Sequence, residues 1–109
     1  MDLLEELKVA FDKEAILSEK PRLLLTAAVA AGELTVADAY DIPRVSAALD
    51  YVYLMSYDLH GSWENTVGHH SQFIAPDHED EKFGTKYAVD LWIDGGCPAS
   101  KVKYFCFDF

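Results

Sequence analysis

Positive charge is what this chain has least of. Nine Lys and Arg stand against nineteen Asp and Glu, a formal net charge of −10. A surface of that sign repels phosphate backbones and anionic lipid, so neither nucleic acid nor membrane is expected as a partner. No basic run offsets it. No stretch approaches the roughly 20 consecutive apolar residues of a membrane span. The first residues, Met1-Asp2-Leu3-Leu4-Glu5-Glu6, are acidic where a secretory leader is basic and then apolar, so no signal peptide is expected in this chain. Cysteine is scarce too. Cys97 and Cys106 are too few for a disulfide framework and read as buried free thiols, although spacing alone does not exclude a bridge between them. Internal repeats, low-complexity segments and phosphate-cradling glycine loops of the P-loop or dinucleotide type are all missing.

What is present is an ordinary globular composition, with half the residues apolar and 13% aromatic. The 109 residues suit one small domain. Leu3, Leu4, Leu7 and Phe11 recur at helical spacing, so residues 3–14 are expected to form an amphipathic helix, ended by Lys20-Pro21. Leu23 to Ala31 is apolar apart from Thr26. It reads as a strand buried on both faces, as in parallel sheets. Asp41-Ile42-Pro43 reads as a helix start with Asp41 as cap, the helix ending near Leu49-Asp50. Tyr51 to Ser56 is a second strand. Residues 58–80 form a long polar loop, a length uncommon without a functional reason. Residues 81–94 are expected as a helix with Phe83, Tyr87, Leu91 and Ile93 inward, stopped by Gly95-Gly96. Val102 to Phe107 is a third strand. Alternation of helix and strand implies an α/β fold with a parallel sheet.

The chemistry concentrates at the exit of the second strand. Tyr51, Tyr53, Met55 and Tyr57 share one face of it, and Val52, Leu54 and Ser56 share the other. Tyr57 and Asp58 also read as a core tyrosine and a turn-capping aspartate, Met55 as a filler of core gaps, and Trp63 as a ring folded back onto apolar surface. His60, His69, His70 and His78, with Asp77, Glu79 and Asp80 nearby, invite a metal reading. Adjacent histidines on a loop give neither a defined ligand count nor a supporting outer shell, so no metal is expected. The Asp77–Glu81 run lacks the alternating oxygen ligands and central glycine of a calcium loop, and reads as a solvated segment leading into a helix start. Ser46, Ser56 and Ser62 have no paired His and carboxylate at recognisable spacing, so no hydrolase triad is expected. No cofactor is expected either.

The segment Met55-Ser56-Tyr57-Asp58-Leu59-His60-Gly61-Ser62-Trp63 closely resembles the sixth barrel strand of glycoside hydrolase family 18, the chitinases and chitinase-like lectins. Leu23 to Gly32 is similar to the family's fifth strand, and Tyr40-Asp41-Ile42-Pro43 to the lead into its fifth helix. Tyr87 to Lys101, with Trp92, Gly96, Pro98 and Ala99, is similar to the sixth helix and its exit. The resemblance implies a partial TIM (β/α)8 barrel, strands five to seven, with residues 1–109 as a fragment of the catalytic domain. A complete barrel takes roughly 250 residues. It implies a parent acting on chitin or N-acetylglucosamine oligosaccharides outside the cell, with the substrate's own acetamide as nucleophile. Met55, Tyr57, Asp58 and Trp63 would then bind sugar: the thioether beneath the acetamide methyl, the phenol on its carbonyl, the carboxylate on sugar hydroxyls or amide, the indole on a pyranose face.

Two departures bear on activity. The family's acidic segment, Asp-Gly-x-Asp-x-Asp-Trp-Glu, which supplies the general acid, has no counterpart here. The family's usual Gly-x-Pro-x-Tyr-Gly-Arg stretch is replaced by Tyr104 to Phe109. The chain alone is therefore expected to be inactive, with no catalytic residue of its own. A non-catalytic lectin and a truncated product without a function of its own are the alternatives. Three strands of an opened barrel are expected to self-associate through their edges.

Overall fold

The computed structural model describes residues 2–106. The elements run α1 (Asp2–Ser18), β1 (Thr26–Ala30), α2 (Glu33–Ala39), α3 (Ile42–Ala48), β2 (Tyr51–Met55), a 3-10 turn (Glu81–Phe83), α4 (Thr85–Asp94), a second 3-10 turn (Ala99–Lys101) and β3 (Val102–Tyr104). The strands form one parallel sheet in the order β1-β2-β3, with Ala30 opposite Met55 and Leu54 opposite Tyr104. Parallel neighbours joined through helices are the local grammar of a (β/α)8 barrel, and the sheet is a three-stranded arc of one.

The helices cover one face of that arc. Val29, Val52 and Leu54 point into them and are buried with Leu25, Val36, Val45, Leu49 and Trp92. The opposite face, which carries Tyr53 and Met55, is open. The one-sided cover changes the reading of the first strand. It is shorter than Leu23–Ala31, and it is not buried on both faces. Leu25, Val29 and Ala31 are inside, whereas Leu23 and Leu24 precede the strand and stay exposed. A radius of gyration of 16.5 Å exceeds the roughly 13 Å of a compact domain of this length, as an open slab should.

α1 runs to Ser18, four residues past the expected end at residue 14. Leu4, Leu7 and Phe11 pack on the core. It stops where Pro21 disfavours helical Lys20, with Glu19 in the left-handed conformation at φ 56°. α3 starts as the sequence implies: Asp41 accepts from the Arg44 amide at 3.2 Å. α2 has no signature of its own. It is seven residues long, is preceded by Gly32 without a side-chain cap, and buries Val36 alone.

α4 is rotated from the expected phase. Thr85, Ala88 and Trp92 are its buried positions, while Phe83, Tyr87, Leu91 and Ile93 are half-buried. The two aromatic rings settle that phase. Trp92 donates its indole N–H to the Ala30 carbonyl at 3.0 Å and meets Tyr40 edge-on at 5.3 Å, whereas Tyr87 turns outward and donates to Glu33 at 2.9 Å. Residues 81–83 form a 3-10 turn capped by Asp80, not the first turn of α4. Gly95 and Gly96 end α4, Gly96 at φ 118°. β3 ends at Tyr104; Phe107 of the expected strand lies outside the described residues. Cys97 is buried and Cys106 half-buried, both as free thiols.

Candidate functional site

β2 delivers the sequence-identified residues as its alternation demands. Val52, Leu54 and Ser56 are buried. Tyr53, Met55 and Tyr57 lie on the open face at 47%, 36% and 44% exposure. Met55 is the last residue of the strand, so Met55 and Tyr57 flank its C-terminal end on the side that a closed barrel would turn inward. Asp58 follows at φ 54°. A non-glycine residue in this region is uncommon, although aspartate tolerates it best, and such strain tends to gather at binding sites. The turn redirects the chain from strand to loop at the first carboxylate of the rim.

A buried polar lock holds this exit. Ser56 Oγ donates to Thr85 Oγ1 at 2.7 Å, and Thr85 Oγ1 donates to the Gln72 carbonyl at 2.9 Å. Ser71 Oγ donates to the Ser56 carbonyl at 2.8 Å. The amides of Thr85 and Lys86 reach the Gln72 and Phe73 carbonyls, both at 2.9 Å. The long loop thus returns to the strand that launched it. Its outgoing limb is paired as well. The Leu59 amide donates to the His70 carbonyl at 2.9 Å, and His70 Nδ1 lies 3.4 Å from the Asp58 amide.

Trp63 stands outward at 65% exposure. Its ring lies over Gly61, where a Cβ would fall 2.2 Å from the indole, so no larger residue fits beneath it. The Glu64 amide closes the turn onto the Gly61 carbonyl at 3.1 Å. The ring does not fold back into the core.

The histidines separate into different environments. His60 sits between two carboxylates, with Nδ1 2.7 Å from Glu64 and Nε2 2.9 Å from Glu79, and stacks on Phe83 at 4.6 Å. Its pKa is raised, chiefly by the bond to Glu64. Glu79 is held below the usual carboxylate range, first by Gln72, whose Nε2 donates to it at 2.7 Å, and also by His60. His69 and His70 stack on each other. Among the described residues no group of three or more His, Cys, Asp and Glu is placed to hold a metal ion. No described helix is long and apolar enough to cross a membrane.

The sequence singles out Met55, Tyr57, Asp58 and Trp63 as candidates but gives no sign of what holds them. Ser56, Ser71, Gln72 and Thr85 carry no motif. The one available hint, His60 four residues before Glu64, has no meaning in a loop until the turn is seen.

Comparison with known proteins fits this geometry. The family model described as glycosyl hydrolases family 18 matches residues 1–104. The chain therefore belongs to glycosyl hydrolase family 18. Oviduct-specific glycoprotein of Mesocricetus auratus is 45% identical over 101 residues, covering 92% of this chain and 15% of that protein. The structure of an immunomodulatory active chitinase from Trichuris suis superposes with a TM-score of 0.89 at 32% identity, over 94% of this chain and 28% of the other. Human YKL-39, described as a pseudo-chitinase with retained chitooligosaccharide binding, superposes with a TM-score of 0.87 at 38% identity, over 92% and 29%. The chain thus spans less than a third of each of these proteins, and the family contains both an active chitinase and a pseudo-chitinase.

Proposed function

We propose that residues 1–109 are one piece of a family 18 barrel domain and carry part of its sugar-binding rim. The ligand is chitin or an N-acetylglucosamine oligosaccharide, met outside the cell. The observation that supports this reading is the shared open face of Met55 and Tyr57 at the end of β2, followed by the left-handed turn at Asp58.

Each group has a chemistry suited to the acetamide. The Tyr57 hydroxyl donates to the acetamide carbonyl and holds it beneath the anomeric carbon. Asp58 accepts from the acetamide N–H or a sugar hydroxyl. Met55 offers a polarisable floor to the methyl group. Trp63 presents an apolar face to a pyranose ring, with Gly61 leaving the room beneath that the indole occupies.

Hydrolysis by the whole protein would use the acetamide as nucleophile and a general acid on another strand. No Asp-Gly-x-Asp-x-Asp-Trp-Glu segment occurs within the 109 residues, so binding is the part of the activity that this chain's own residues support. A lectin parent and a chitinase parent make the same use of them.

The test is titration of the chain with tetra-N-acetylchitotetraose by calorimetry. Trp63→Ala and Tyr57→Phe are each expected to weaken binding about tenfold, near 1.4 kcal/mol. Affinity unchanged in both variants would contradict the reading.

A further inference from the structure

His60 has both ring nitrogens against carboxylates: Glu64 at 2.7 Å on one side and Glu79 at 2.9 Å on the other. A neutral imidazole carries one N–H and one lone pair, so it satisfies only one of the two. The other contact would set a lone pair against an anion. The arrangement is complete only when the ring is an imidazolium.

The site around the ring is closed. His60 is 10% exposed at its side chain and Glu79 13%. Phe83 stacks on one face at 4.6 Å, and Gly68 approaches so closely that a Cβ there would lie 2.4 Å from the ring. The charged groups turned toward this centre are Glu64 from the outgoing limb and Glu79 from the returning one. His78 lies 3.8 Å from the other oxygen of Glu79. The uncharged Gln72 shares the Glu79 oxygen that faces His60 and also donates to the Phe83 carbonyl at 3.0 Å.

The position of this cluster gives it a consequence. Residues 60 and 64 bracket the turn that carries Trp63, and Glu79 with Gln72 ties that turn to the loop's return. We propose that His60, as an imidazolium bridging Glu64 and Glu79, is a positioning residue for Trp63, making the sugar platform proton-dependent. The inference rests on the proposed sugar-site role of Trp63 and adds a control on it. The ring's raised pKa agrees in direction. The bridge is fully formed below the ordinary histidine value and is lost as pH rises through the higher folded-state value.

The test follows the Trp63 indole N–H and the His60 ring by NMR in the full chain, from about pH 6 to about pH 9. His60 is expected to titrate above its ordinary value, and the Trp63 resonance to move with the same midpoint. Glu64→Gln lowers that midpoint, and His60→Gln abolishes the dependence at Trp63. Affinity for tetra-N-acetylchitotetraose is expected to fall about three- to tenfold across the transition. A Trp63 resonance indifferent to His60 titration, or a His60 titrating at or below the ordinary value, would overturn the proposal. Sugar binding absent at every pH, with the coupled Trp63 titration intact, would overturn the sugar-site reading and leave the proton-dependent bridge standing.

Discussion

Ser56 and Thr85, 29 residues apart, meet through a buried hydroxyl pair at 2.7 Å, directly beneath the strand exit that presents Tyr57. Neither residue is exposed to solvent. Thr85→Val keeps the shape and leaves Ser56 Oγ without its acceptor. A buried polar group left unsatisfied costs about 1–3 kcal/mol. Urea denaturation should show that loss, and adding Ser56→Ala should recover part of it, because both partners are then apolar. Strict additivity of the two losses would contradict the lock.

A second tie holds the opposite end of the sheet. Asp50 receives Arg22 through two bonds, at 3.0 and 2.6 Å, and the Leu25 amide at 2.7 Å. Its pKa falls to about 2, the Arg22 bonds contributing most and the Leu25 amide next. A carboxyl depressed on folding stabilises the fold at every pH above its unfolded value, and that contribution disappears as pH falls through the folded one. Asp50→Asn is expected to cost about 1–2 kcal/mol near neutrality. It should also flatten the acid limb of the stability curve between about pH 4 and about pH 2. Denaturation midpoints across that range provide the check, and an unchanged acid limb would refute the assignment.

The legible parts of this molecule were those where one residue type serves one geometric purpose. Asp41 before Ile42-Pro43 announced a cap, Gly95-Gly96 a stop, and the period of two across Tyr51–Tyr57 sorted open face from covered face. α2 was silent because a seven-residue helix that buries only Val36 has no period to read. α4 was misphased because its largest apolar ring, Trp92, is fixed by a hydrogen bond to Ala30, which no spacing rule contains. Leu23 and Leu24 look like strand residues because apolar runs suggest burial. They lie outside it, on a sheet covered on one side only. Met55, Tyr57, Asp58 and Trp63, the proposed sugar contacts, were readable as candidates through their resemblance to the family. The lock and the His60 bridge depend on loop closure and were not.

Self-association is the third expectation. Among the described residues β1 and β3 each pair only with β2, and Tyr53 and Met55 face solvent from the open side. Unpaired parallel edges beside an apolar face recruit further strands. Sedimentation of the isolated chain at low micromolar concentration should show oligomers, and Tyr53→Lys should reduce them. A sharp, reversible thermal transition from a monomer would contradict this expectation.

Hydrolysis is the fourth. No Asp-Gly-x-Asp-x-Asp-Trp-Glu segment lies within the 109 residues, and under the proposed reading the missing general acid would remove a principal contribution to rate. Incubation with a fluorogenic N-acetylglucosamine oligomer should release no more dye than buffer. Turnover abolished by Asp58→Asn would show that the chain catalyses after all.

Residue-resolved mapping of sugar contact tests the central claim most directly. In NMR titration of the chain with tetra-N-acetylchitotetraose, the Met55 methyl, the Tyr57 ring, the Asp58 amide and the Trp63 indole are expected to shift together along one binding curve, while Leu4 and Leu7 of α1 stay still. Saturable shifts confined to α1, or no shifts at the end of β2 at millimolar sugar, would contradict the account.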